Sequence, residues 1–501
     1  MDYELFRIFC KQKKGEELQM SKKIQTISVL WLIFILGFII SCAVNPVTGK
    51  RELMLISTKD EAALGKSTDK QVVEQYGIYD DPNLQGYLAE VGNKLAVNSH
   101  LPDLQYNFKV VDSEILNAFA VPGGYVYFTR GIMAHLNSEA EMAGVMGHEI
   151  GHITARHTAK QITRQQIAQF GIGVGSILSE TFSKYSNLTG FGVGLLFLRF
   201  SRDNERQSDQ LGVEYSTKSG YDALHMANFF HTLERMRPED GSGIPSWMST
   251  HPEPENRVVS VRNMAKEWQA KYPGTKFSTG RDAYLKKIDG IVYGPDPRQG
   301  FVENNNFYHP VLKFQFPVPF DWNVNNLPTQ VQMTSKAQNA FILFSLAKQP
   351  DPGSAALDFI QNSKATVVEN KPRTVNGMPA RMLISDIISD QTNLRILSYF
   401  IQKSQQVYIF HGLSKKADFN KFADEFEKTM TNFNHVNDPK ILNVKPERIR
   451  LHRVQTQGSL KMELTKLSIS DDMQNKIALL NGMLLEDKLE RGTLIKIVSK
   501  N

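Results

Sequence analysis

The sequence predicts an α+β chain in three parts: a mainly helical first domain with a small edge-stranded sheet, a small α+β domain, and a β-α-α-β tail. Helical patterns dominate from Thr58 to about residue 275, broken by two short runs of β-forming residues. Turn clusters at Tyr272-Pro-Gly and Tyr293-Gly-Pro-Asp-Pro then bracket a boundary, beyond which extended and helical stretches mix. At 501 residues the chain exceeds one core, and two to four domains is the expectation.

Hydrophobic content of 41% and charged content of 22% describe a globular chain and exclude a disordered or multi-span membrane protein. The formal net charge is +6, and residues 1–41 carry six basic and four acidic side chains, leaving +4 for the rest. That is too little to argue for nucleic acid. Only Cys10 and Cys42 occur, so no disulfide framework is available.

Val29 to Ile40 is an apolar run of 12 residues behind Lys22 and Lys23. A span needs about 20 residues, whereas this length suits a signal-peptide core. The run ends at Ile39-Ile40-Ser41-Cys42, which resembles a bacterial lipoprotein cleavage box, with Cys42 as the lipidated first residue. An uncleaved signal anchor is the alternative. Residues 1–41 are thus expected to be a signal peptide, its start at Met20 fitting better than the acidic residues before it. Ala43 in place of Asp favours the outer membrane over the inner one. Residues 42–57 read as a lipid-attached tether.

The first domain is expected over 58–275. Thr58, with Glu61 three residues on, reads as a helix cap. Helical patterns run to about Asn98, parted at Asp80-Asp81-Pro82, and Tyr106 to Val111 reads as a strand. A second extended segment, Ala118 to Arg130, turns at Pro122-Gly123-Gly124. It is either an edge strand, able to pair with an extended peptide, or an ordinary central strand.

Within the helical run Glu139 to Arg164 lies Gly147-His148-Glu149-Ile150-Gly151-His152. Residues four apart stand one turn above each other, so His148 and His152 can share one metal ion, with Glu149 beside it. This is zinc-hydrolase spacing. With 12 histidines, chance matches number on the order of 0.02 per chain, so a site is favoured over an ordinary helix. The Gly-punctuated apolar runs from Gly171 and Gly190 read as buried packing or as a cover over the cleft. Phe200 to Tyr215 reads as a second helix on which Glu205 and Asp209 share a face. One carboxylate there can complete a His-His-Glu set and the other can meet a ligand histidine's free N–H.

Asn117-Ala-Phe-Ala-Val-Pro-Gly-Gly-Tyr, HEIGH followed by Arg156-His157, Ser201-Arg-Asp-Asn-Glu205 with Asp209, and Thr250-His251-Pro252 with Arg257 stand in this order along the chain. Together they resemble the zinc metallopeptidases related to the CAAX prenyl protease, in their soluble periplasmic and lipoprotein branch. The resemblance covers about Glu52 to Tyr272 and implies a zincin-type fold and one Zn2+. It implies His148, His152 and Glu205 as ligands, Glu149 as catalytic base and Asp209 as the partner orienting a ligand histidine. It also implies that His251 caps the zinc or meets the tetrahedral intermediate, and that Arg257 contacts substrate or oxyanion. His157, five residues past His152, is not counted as a ligand.

Residues 276–299 read as a linker and 300–437 as a small α+β accessory domain without a catalytic constellation. Its expected elements are extended stretches at Phe314 to Phe316, Phe341 to Leu346, Leu394 to Phe400 and Gln406 to Phe410, and helices near 355–362 and 417–430. The tail, 438–501, resembles a degenerate LysM module, which implies docking on peptidoglycan or on a protein. The function expected is zinc-dependent endopeptidase action in the cell envelope on unfolded or misassembled proteins. An assembly factor or chaperone using the same fold to bind clients is the alternative.

Overall fold

A computed structural model describes residues 42–170, 199–237, 246–252, 256–389 and 392–500. The expected signal segment and the Gly-punctuated runs at 171–198 lie outside the described residues. Among the described residues, no helix is long and apolar enough to cross a membrane.

The chain opens with a hairpin, β1 (Cys42–Val44) and β2 (Arg51–Leu53). The expected tether is therefore folded: Asn45 at its turn is fully buried. Helix α1 (Thr58–Tyr76) starts one residue earlier than expected, since Ser57 is the cap and Asp60 closes the capping box. Helix α2 (Pro82–Val97) is capped by Asp81. Three strands follow, β3 (Asn107–Val111), β4 (Ala118–Val121) and β5 (Tyr125–Thr129), in the order β3-β5-β4. β4 is antiparallel to β5 and stands at the sheet edge, packed against the HExxH helix. The segment expected over Ala118 to Arg130 thus supplies both an edge strand, β4, and the central strand, β5.

After α3 (Arg130–His135), the single helix expected over 139–164 is two, α4 (Glu139–Thr154) and α5 (His157–Phe170). Arg156, at φ 55°, turns the chain between them through a left-handed conformation. Helices α6 (Arg202–Lys218), α7 (Leu224–Arg235), α8 (Ser246–Thr250) and α9 (Arg257–Ala270) complete the surround of α4. Helices α4 and α6 approach closely because glycines face each other. A Cβ on Gly147 would lie 3.0 Å from the Cα of Gly212, and one on Gly212 would lie 3.0 Å from the backbone nitrogen of His148.

The expected linker is also corrected. Residues Arg281–Ile288 form helix α10, and its Tyr284, Leu285 and Ile288 sit fully buried in the first core. Tyr284 donates its hydroxyl to the Met133 carbonyl at 2.6 Å. The turn clusters mark bends on a core surface, not a flexible spacer.

Residues 301–435 build a second core. A seven-stranded sheet, with helices Pro352–Ser363 and Phe419–Thr431 against it, packs beside a four-stranded one. The tail runs strand Arg448–Arg453, helices Leu460–Lys466 and Asp471–Leu480, strand Leu494–Ser499, with the two strands antiparallel. It has a small core of its own, yet Ile449, Leu480 and Leu494 belong to the first core. The fully buried Lys496 donates its Nζ to the Ala134 and Leu136 carbonyls, at 2.8 and 2.9 Å.

Candidate functional site

Four donors converge between α4, α6 and the end of α8. One ligand atom each from His148, His152, Glu205 and His251 lie within 4.8 Å of one another, all four residues buried. His148 Nε2 and His152 Nε2 are 3.0 Å apart. Glu205 Oε2 is 3.4 Å from the first, and its Oε1 is 3.5 Å from the second. The i, i+4 spacing on α4 produces the first contact, and the glycine-lined approach of α6 brings the carboxylate.

The back of the site decides which nitrogen faces inward. His148 Nδ1 lies 2.9 Å from Asp209 Oδ1, and a carboxylate only accepts, so Nδ1–H donates and Nε2 presents a lone pair. On the other side, Gln207 Oε1 lies 3.0 Å from His157 Nε2, and His157 Nδ1 lies 3.0 Å from His152 Nδ1. With the amide oxygen accepting from His157 Nε2–H, His157 Nδ1 accepts from His152, which again leaves a lone pair at the centre. His157 therefore stands outside the converging set and behind His152. The sequence could not show this, because the break at Arg156 resets the helical phase.

Arg257 donates its Nε and Nη2 to the two Asp209 oxygens at 2.9 and 2.7 Å, and Nη2 is 3.6 Å from Glu205, while Nη1 has no partner. The guanidinium lies 4.0 Å from the ring centre of Phe230 and 4.7 Å from that of Trp247. A planar fork between aromatic faces holds both carboxylates in place.

His251 follows α8 and stacks on Trp247, ring centres 4.6 Å apart. Its Nδ1 lies 3.1 Å from the Trp247 carbonyl, so Nε2 carries the lone pair. That Nε2 is 3.4 Å from Glu149 Oε1, and neither atom has a hydrogen-bond partner.

Burial first, and the Arg257 charge for His148, hold His148 and His152 well below the ordinary imidazole range, while burial pushes Glu149 and Glu205 well above the ordinary carboxylate range. Neutral imidazoles are the ligand form. Facing lone pairs, with both Glu205 oxygens unpartnered, repel unless a cation sits among them. The donor set of two imidazoles and a carboxylate fits Zn2+.

Residues 82–265 match Peptidase family M48. The chain is 30% identical over 221 residues to the Beta-barrel assembly-enhancing protease of Yersinia pestis, covering 42% of this chain and 45% of that one. It is 28% identical over 243 residues to the protein of that name from Escherichia coli (strain K12), covering 46% and 48%. It is 28% identical over 202 residues to the Mitochondrial metalloendopeptidase OMA1 of Arabidopsis thaliana, covering 40% of each. The chain thus spans about half the length of these curated relatives or less. The stretch that matches Peptidase family M48, residues 82–265, contains every residue of the site.

Proposed function

We propose that the chain is a zinc-dependent endopeptidase of the bacterial cell envelope, hydrolysing peptide bonds in unfolded or misassembled proteins. The observation that carries this reading is the convergence of His148, His152 and Glu205 with Glu149 beside them. Bound by those three residues, zinc supplies an acidified water and an electrophile for the scissile carbonyl. Glu149, its Oε1 unpartnered, takes the proton of the attacking water and returns it to the leaving amine. Asp209 and His157 keep the two imidazoles turned inward, and Arg257 pairs with Asp209 and stands beside Glu205. The free edge of β4 pairs with the substrate backbone. His251 would join the three residues holding the ion at rest, so that a substrate would have to displace it.

The names of the relatives support the client class, because two are named for enhancing β-barrel assembly. The lipidated Cys42, held at the outer membrane, and docking of the tail on peptidoglycan or a protein belong to the same reading. The β-α-α-β order of 448–499 supports the tail's part in it. Those names also favour a second reading, an assembly factor in which hydrolysis is secondary. Digestion of unfolded casein tests the first. Cleavage is expected to stop on chelation, return with Zn2+, and be absent in Glu149→Gln. Equal cleavage by that variant would remove the proposed base, and His251→Ala with unchanged cleavage would remove the cap.

A further inference from the structure

A cavity adjoins the candidate site through His152. It holds about 350 Å³, and His152 stands at its inner end. Its lining includes the apolar Val44, Pro46, Leu101, Leu104, Val121 and Ile153, with the polar Thr58, Asp103 and Thr158 among them. Val121 lies on the edge strand β4, and Ile153 is the residue after His152 on α4. At the far end Arg156 donates its Nε to Glu61 at 3.1 Å and its Nη2 to the Ile56 carbonyl at 3.0 Å, so the charges there are already paired.

Part of this cavity lies outside the family match at 82–265. Val44 and Pro46 come from the N-terminal hairpin, and Glu61 and Ala62 come from α1. The hairpin is fixed there by the buried Asn45. Its Nδ2 donates to Glu52 at 3.0 Å and to the Ala155 carbonyl, at the end of the HExxH helix, at 3.2 Å. Its Oδ1 accepts from the Val47 and Thr48 backbone at 2.9 and 3.1 Å. Leu55 N–H to Thr163 Oγ1, at 3.1 Å, and Lys160 to Glu52, at 2.8 Å, stitch the same segment to α5. The wall is thus rigidly referenced to the helix that carries His148 and His152.

We infer that this cavity is a substrate subsite for a bulky apolar side chain, walled on one side by the N-terminal hairpin. The inference rests on the peptidase reading and names the residue class its substrates carry. A peptide paired along β4 beside His152 sends alternate side chains to one face of the strand, and the one beyond the metal centre meets this cavity. A Leu, Ile, Met or Phe side chain removes apolar wall from water there. A charged one would compete with the Glu61–Arg156 pair. Residues 42–53 are in this account part of the substrate-binding surface.

Cleavage-site profiling of unfolded casein with the full chain, products sequenced by mass spectrometry, tests it. The wild type is expected to enrich Leu, Ile, Met or Phe at one fixed position relative to the cut. Ala62→Trp, at an exposed helix position on the cavity rim, is expected to disfavour those residues there by about tenfold or more, shifting that position to Ala and Ser. Leu104→Ala is expected to admit larger residues, Trp included, at the same position. An identical preference at every position in all three proteins overturns the subsite while leaving the peptidase standing. No fragments from the wild type beyond those of a Glu149→Gln control overturn the peptidase reading and the subsite with it.

Discussion

The two large cores of this chain are built to opposite rules. The first buries His148, Glu149, His152, Glu205, Asp209, His251 and Arg257 together. Within 300–437 the buried polar residues among those described are four serines and one threonine, around a cluster of phenylalanines in ring contact. Burying an unpaired charge is costly, so a fold that buries seven ionisable groups at one point must pair them with one another and with a cation. The second core carries no such constraint and is ordinary packing. The difference locates the chemistry more sharply than any surface feature does.

The comparison breaks most directly at its arginines. Arg257→Leu leaves Asp209 and Glu205 without their countercharge. It is expected to cost about 3–5 kcal/mol, with loss of cleavage, read as reduced hydrogen-exchange protection of α4 and α6. Arg395→Leu, whose partner Asp386 sits at the rim of the second region, is expected to cost under about 1 kcal/mol, with cleavage unchanged. Equal effects would mean the buried network has no special role.

Phe344→Ala removes a ring that lies 4.9 Å from Phe316 and 4.6 Å from Phe410. It is expected to cost the second core about 3–5 kcal/mol while the folded enzyme cleaves casein at the wild-type rate. Exchange protection lost from α4 in that variant would show the two cores to be one cooperative unit.

Chelation sharpens the contrast from the other side. An ion present at about 100 times its dissociation constant stabilises by about 2.7 kcal/mol. Protection around 139–154 and 202–218 is therefore expected to fall on chelation, with 301–435 unmoved. Uniform loss across both regions would contradict a single site.

Acid is expected to weaken the second region. Burial pushes His309 and His411, both in the second region, down to about 4 from the ordinary 6.5. The unfolded chain takes up those protons near 6.5 and the folded one only near 4. Their contribution is whole above about 6.5 and is lost as the pH falls towards 4. Protection of 301–435 should decline between pH 7 and pH 5, and His411→Gln should flatten that slope.

Much of the site was legible because helical spacing alone brings His148 over His152 and Glu205 level with Asp209. The strand pattern around Pro122-Gly123-Gly124 and most accessory strands and helices follow from local pattern too, whereas the edge position of β4 does not. What was not legible depends on long-range packing or on one backbone angle. The left-handed Arg156 brings His157 behind His152. Helix α10 reads as a linker because its three buried residues find partners such as Ile449, Leu480 and Leu494 far along the chain. The direction of Arg257 is set by the aromatic slot of Phe230 and Trp247, which spacing does not reveal.

The most direct measurement is the metal content of the purified chain and two variants. One Zn2+ per chain is expected in the wild type and in Glu149→Gln, and loss of the ion in Glu205→Gln. Stoichiometric zinc retained by Glu205→Gln would contradict the account.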